Sequence, residues 1–188
     1  MADDIGVLVM AAGRSSRFGS NKLAQQLSSG KTLFETSLAN VLELDLQTAV
    51  VSSSDGKHIQ QVSNAMRAFN IVMPGISPGL GDSIAYGVTN TPNWAGWIIY
   101  LADMPFIGVQ VLRKLHRVAL NNPLVRPSFN NAPGHPVFFS KRYFSALCCL
   151  NGDRGAREII EAHRKDLVLV PVNDKGILRD IDTPLDLI

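Results

Sequence analysis

Short apolar runs alternate along this chain with segments whose apolar residues recur at helical spacing, which is the rhythm of βαβ units. Gly6 to Met10 predicts a first strand. Thr32-x-x-Glu35 reads as a capping box that opens a helix to about Asn40, with Leu33, Phe34, Leu38 and Val41 on its apolar face. Thr48 to Val51 predicts a second strand, Gly56 to Ala68 a helix, and Ile71 to Met73 a short third strand. A helix from Asp82 and Ser83 to about Asn90 precedes an apolar strand that begins at Trp97 and delivers Asp103 at its end; a further helix spans about Gly108 to Leu120. This alternation predicts one α/β domain over residues 1–188, a mainly parallel sheet with helices on both faces.

The last third departs from plain alternation. Leu124 to Arg126 and Pro136 to Phe139 are strand candidates, separated by a loop from Ser128 to His135 in which Asn130, Asn131, Gly134 and His135 offer polar groups to a second substrate. Asp153 is placed to cap a helix whose first turn carries Arg154 and Arg157, and Arg157 can bind phosphate or pair with Glu161 at i, i+4. Leu167 to Val172 and Gly176 to Leu178 read as a hairpin. Asp180 and Asp182 share one side of an extended segment before Thr183-Pro184 begins a terminal helix turn.

Composition narrows the function. Eighteen Lys and Arg against sixteen Asp and Glu leave a net charge of +2, which gives no support to nucleic-acid binding through a broad basic face. The apolar runs are too short to span a bilayer, and the acidic opening Met1-Ala2-Asp3-Asp4 lacks the basic start of a secretory signal, so a cytoplasmic protein without membrane partners is expected. Cys148 and Cys149 are neighbours in an apolar helical pattern, and are expected to be reduced and buried.

The candidate chemistry lies in the loops after the strands. Ala11, Ala12, Gly13, Arg14, Ser15, Ser16, Arg17, Phe18, Gly19, Ser20, Asn21 and Lys22 form a small-residue loop with three cations. Backbone N–H groups in such a loop can approach an anion closely while Arg14, Arg17 and Lys22 supply charge. The spacing is neither a Walker A loop nor the dinucleotide G-x-G-x-x-G pattern, and a glycine-rich β-to-α turn with incidental charge is the alternative. Pro74 to Gly81 is a second glycine-rich loop, and Gly79, Asp82 and Ser83 stand at a helix start that can meet a ligand or simply serve as linker and cap. Asp103 reads as a metal carboxylate facing the cationic loop, or else as a cap for the helix that follows; Asp180 and Asp182 offer a second carboxylate or a cap.

These segments, in this order, resemble the MobA-like molybdenum cofactor nucleotidyltransferases along essentially the whole chain. The opening loop is similar to L-A-A-G-x-S-x-R-M-G-x-x-K, with Phe18 in place of the usual methionine. Gly79 to Ile84, Leu101 to Pro105, Pro133 to Phe139, Gly152 to Arg157 and Asp180 to Leu187 match the further motifs of the cytidylyltransferase branch. Leu23-Ala24-Gln25 stands where relatives often have Leu-Leu-Pro. The resemblance implies a three-layer α/β/α fold with a Rossmann-like mixed sheet of the nucleotide-diphospho-sugar transferase type. It implies that Ala11, Ala12, Gly13, Arg14, Ser15, Lys22, Gly79, Asp82 and Ser83 hold a nucleoside triphosphate and that Lys22, Arg17 and Asp103 act in catalysis. Mg²⁺ would be held by Asp103 with Asp180 or Asp182, and His135, Asp153 and Arg157 would face a phosphorylated acceptor. The Ala-Ala-Gly opening favours CTP, molybdopterin is the implied acceptor, and a molybdoenzyme or its chaperone is the implied recipient of the product. Transfer from GTP or to a sugar or alditol phosphate, and a binding module without turnover, are the alternatives. A flavin or nicotinamide domain is disfavoured because Val51-Ser52-Ser53 supplies no acid after the second strand.

Overall fold

The computed structural model describes residues 4–13, 22–75 and 77–181. Its strands are β1 (Ile5–Met10), β2 (Thr48–Ser53), β3 (Phe69–Met73), β4 (Gly96–Leu101), β5 (Leu124–Phe129), β6 (Ala132–Pro133), β7 (Val137–Ser140) and β8 (Leu167–Pro171). They lie in the order β3-β2-β1-β4-β7-β5, with β6 and β8 both paired to β5. The β1–β2, β1–β4, β2–β3 and β5–β8 pairs are parallel, whereas β7 runs antiparallel to β4 and β5. The sheet is therefore mixed and mainly parallel, as the alternation predicted.

Successive strand residues point to opposite faces, so each buried strand feeds two cores. Val7, Val9, Val50, Ile98 and Phe138 pack against Phe34 and Leu38 of α1 (Leu33–Leu42), Ile59 of α2 (Lys57–Ala65) and Leu115 of α4 (Val109–Ala119). On the other face Leu8, Val51, Ile99 and Phe139 meet Ile84 and Val88 of α3 (Leu80–Thr89), Leu147 of α5 (Phe144–Cys148) and Ile159 of α6 (Arg157–Ala162). Three layers result. Met10 is level with both Val51 and Leu101, which brings the carboxyl ends of β1, β2 and β4 to one edge.

Local signals are realised where they stand alone. Thr32 and Glu35 form the expected box: Glu35 N–H donates to Thr32 Oγ1 at 3.1 Å and Thr32 N–H to Glu35 Oε2 at 2.7 Å. Longer-range competition changes other segments. The second helix stops at Ala65, short of the expected Ala68, because Arg67 adopts a left-handed φ of 61°. Residues 128–135 do not form an open loop, since Asn130 and Asn131 take φ of 50° and 67° and turn β5 tightly into β6. The hairpin expected over 167–178 is also absent. There β8 pairs with β5 and Lys175–Leu178 forms a 3-10 turn, held by the Asp174 carboxylate, which accepts N–H bonds from Gly108 and Gly176, both at 2.9 Å or less.

Two further expectations are corrected. The helix α6 has Ala156 at its N-cap with no side-chain bond, so Asp153 does not cap it. Both cysteines are free, but Cys148 is half-buried and Cys149 exposed, because the short α5 turns that edge to solvent. The expected terminal helix turn lies outside the described residues. No described helix is long and apolar enough to cross a membrane.

The bonds to Thr32 hold the Glu35 carboxyl below its ordinary value of 4.5, so its stabilising effect is complete above that pH and fades as pH falls through the lowered folded value. Thr32→Ala is expected to cost about 1 kcal/mol at neutral pH. Glu35→Ala is expected to cost stability at neutral pH that disappears in strong acid; urea unfolding of both variants across pH checks this, and a cost for Glu35→Ala independent of pH would contradict it.

Candidate active site

Lys22 opens a 3-10 turn, Lys22–Ala24, and the burial of Leu23 in the core fixes that turn against α1. Its Nζ lies 2.8 Å from Asp103 Oδ2, with the two side chains 11% and 28% exposed. The ion pair is thus half-enclosed, open enough for a ligand yet dry enough to act strongly. Asp103 is positioned through the backbone on either side of it. Ser37 Oγ donates to Ala102 O at 2.8 Å and Tyr100 Oη to Met104 O at 2.7 Å. Burial pushes the Tyr100 phenol well up, so it remains a donor.

The second loop is tied by its own hydroxyls. Ser77 Oγ donates to Gly79 O at 2.7 Å, and the Ser77 and Ser83 hydroxyls meet at 2.7 Å. Gly79 must lack a side chain, because a Cβ there would strike the Gly152 backbone. A reciprocal clasp completes the contact: Gly81 N–H donates to Gly152 O and Gly152 N–H to Asp82 Oδ2, each at 2.8 Å.

Two clefts open at this edge. The first, about 530 Å³, is lined by Ala11, Ala12, Gly13, Lys22, Gly79, Ser83, Asp103 and Asp153. The second, about 780 Å³, has Arg126, His135 and Arg157 in its wall and shares Leu80 and Leu101 with the first. Burial and the nearby Arg126 charge push the His135 imidazole down to about 4, although Asp180 opposes them. Its Nδ1 is buried without a hydrogen-bond partner among the described residues.

The structure therefore brings together most of the residues that the sequence singled out, with two changes of place. Asp153 stands in the first cleft, beside Gly79, and not in the second with His135. The Asp82 carboxylate is turned to Gly152. Arg157 is bonded through Nε to Glu161 at 2.8 Å, the solvated i, i+4 pairing. Asp180 is exposed, and Ile181 N–H donates to Asp103 O at 3.1 Å, which docks the acidic segment beside Asp103. Arg14, Ser15, Arg17 and Asp182 lie outside the described residues. Among the described residues no group of three His, Cys, Asp or Glu side chains is placed to hold a metal ion. Sequence reasoning missed Ser77, whose signal was only a serine among glycines, and Arg126, a cation inside an apolar strand.

A family model described as MobA-like NTP transferase domain matches residues 7–167. The chain belongs to the MobA-like NTP transferase family. It is 31% identical over 191 residues to the purine catabolism protein PucB of Bacillus subtilis (strain 168), covering 96% of this chain and 92% of that one. It is 27% identical over 190 residues to the molybdenum cofactor cytidylyltransferase of Escherichia coli (strain K12), covering 98% and 94%. The fold is shared with Rv0371c from Mycobacterium tuberculosis H37Rv, at a TM-score of 0.87 and 22% identity over 99% of this chain and 96% of that one. The same mycobacterial protein has been solved in complex with manganese, at a TM-score of 0.79 and 20% identity over 99% and 93%. As a MobA-like NTP transferase, this chain is a nucleotidyltransferase.

Because its folded pKa is depressed from 6.5 to about 4, His135 binds fewer protons in the folded than in the unfolded chain between those values. Stability should therefore decline as pH falls through this window and be unaffected by His135 above it. NMR titration is expected to show a neutral imidazole to about pH 4, and His135→Gln should flatten the decline; an imidazole titrating near 6.5 would contradict the burial argument.

Proposed function

We propose that residues 1–188 act as one domain that transfers CMP from CTP to the terminal phosphate of molybdopterin, releasing pyrophosphate. The observation that carries this reading is the Lys22–Asp103 pair, which lines the first cleft at the sheet edge, beside a second cleft that shares Leu80 and Leu101 with it. The likeness to a molybdenum cofactor cytidylyltransferase supports the choice of base and acceptor.

In this reading the backbone of Ala11 to Gly13 and the ammonium of Lys22 cradle the triphosphate, assisted by Arg14, Ser15 and Arg17, while Gly79 and Ser83 border the nucleoside. Asp82 acts through the Gly152 clasp. The acceptor enters the second cleft beside His135 and Arg157, with Asp153 at the junction. One oxygen of its phosphate attacks the α-phosphorus of CTP; the bond from that phosphorus to the β-phosphate bridge breaks, and the electron pair leaves with pyrophosphate. A phosphate monoester is largely ionised near neutral pH, so positioning and charge neutralisation suffice without a dedicated base. Lys22 neutralises charge that grows on the leaving oxygens.

The donor set fits a hard divalent cation. Asp103 offers an accessible carboxylate at a strand end, and Mg²⁺ is typically held by one or two carboxylates together with substrate phosphates. Asp103, with Asp180 or Asp182, would hold it, and it would supply charge neutralisation at the phosphates. In the same reading the reaction takes place in the cytoplasm, with a molybdoenzyme or its chaperone receiving the product.

Lys22→Ala and Asp103→Asn are each expected to lower kcat by about a hundredfold or more while circular dichroism stays unchanged. The assay is pyrophosphate release from CTP, GTP, ATP and UTP with Mg²⁺, with and without molybdopterin. Release that requires the pterin and prefers CTP is the expected result. A preference for GTP changes the base, and release only with a sugar or alditol phosphate changes the acceptor.

A further inference from the structure

Arg126 is carried by β5, and its half-buried guanidinium forms part of the wall of the second cleft. Its Nε–H donates to Gly134 O at 2.6 Å, and among the described residues no carboxylate lies within ion-pair distance of it. Desolvation holds its pKa below the usual arginine value. Of the other arginines at this cleft, Arg154 and Arg157 are paired with Glu158 and Glu161, and Arg164 is exposed to solvent. A cation kept half-dry without a counter-charge is costly unless a ligand supplies one.

The neighbouring His135 is neutral at physiological pH. Its Nδ1 is buried with no partner among the described residues, and a bare lone pair is cheaper to bury than an unpaired N–H, which favours the ring proton on Nε2. Arg126 is set apart from the strand that delivers Asp103. Ile99 of β4 pairs with Val137, and Val125 pairs with Phe138, so β5 is two strands from β4, about 10 Å at ordinary strand spacing.

We propose that Arg126, assisted by His135 Nε2–H, binds a second electron-rich oxygen group on the acceptor, distinct from the phosphate that reacts, and thereby selects acceptors. This rests on the reading of the second cleft as the acceptor site. With Nε engaged by Gly134, the terminal nitrogens present a planar fork that suits an oxyanion or paired oxygens. Acceptors that carry a phosphate and no second electron-rich oxygen group should bind poorly.

The test compares the full chain with Arg126→Gln and Arg126→Lys. In pyrophosphate release with CTP and molybdopterin, Arg126→Gln is expected to raise the acceptor KM about tenfold or more and leave the CTP KM unchanged. Arg126→Lys should recover part of the loss, since it restores charge without the fork. An unchanged acceptor KM, or equal rises in both KM values, would overturn the proposal. A second measurement is independent of molybdopterin: the rise in Tm caused by inorganic phosphate, measured in Lys22→Ala to remove that cation's share. Adding Arg126→Gln should diminish the rise; an undiminished rise overturns the proposal. Failure of molybdopterin to support turnover, together with a phosphate effect that depends on Arg126, would reject that acceptor and sustain the role of Arg126.

Discussion

Lys22 and Asp103 lie 81 residues apart in sequence, and the 2.8 Å contact between them exists because β1 and β4 are parallel neighbours whose ends are level. An isolated ammonium as enclosed as that of Lys22 would be expensive to desolvate, and the carboxylate opposite offsets that cost. In the proposed reaction the pair also defines the chemistry at the edge, since a cation suited to phosphate oxygens and an anion suited to a divalent ion stand in contact there. Ser37 and Tyr100 matter for the same reason. By bonding the carbonyls on each side of Asp103, they anchor it to α1 and to its own strand.

The opposite wall of the first cleft is built differently. Among the described residues no ion pair fixes Ser77 to Ser83; the hydroxyls bond to one another and to Gly79 O, the Asp82 carboxylate accepts from Gly152 N–H, and Gly79 touches Gly152 so closely that no side chain fits between them. One wall is thus electrostatic and anchored in the sheet, and the other is a pair of crossing backbones with polar latches. Binding energy from a ligand can order the second wall far more readily than the first.

Much of this was legible where the deciding interaction is local. The Thr32-x-x-Glu35 box needs only residues three apart, and the delivery of Asp103 at a strand end follows from an apolar run stopped by Pro105. What could not be read depended on partners distant in sequence. Residues 167–171 had no local sign that β5 would take them in parallel, nor did Asp174 show that it would bond Gly108, 66 residues away. Asp153 had the right spacing for a cap, but contact with Gly79 drew it into the other cleft. Arg126 was passed over because a single cation in an apolar strand looks like an edge residue, and only the pairing of β5 with both β7 and β8 shows it to be interior to the sheet.

The strap from Gly152 to Ala156 has a consequence for how ligands would sense each other if the two clefts bind the nucleotide and the acceptor as proposed. Its first residues clasp α3 and border the first cleft, and its last residues border the second. With both clefts occupied in that way, restricting the strap from one side would lower the entropy left to lose on the other, and the ligands would be thermodynamically linked without touching. Such linkage is reciprocal: whatever factor the nucleotide adds to the affinity for its co-substrate, the co-substrate returns to the nucleotide.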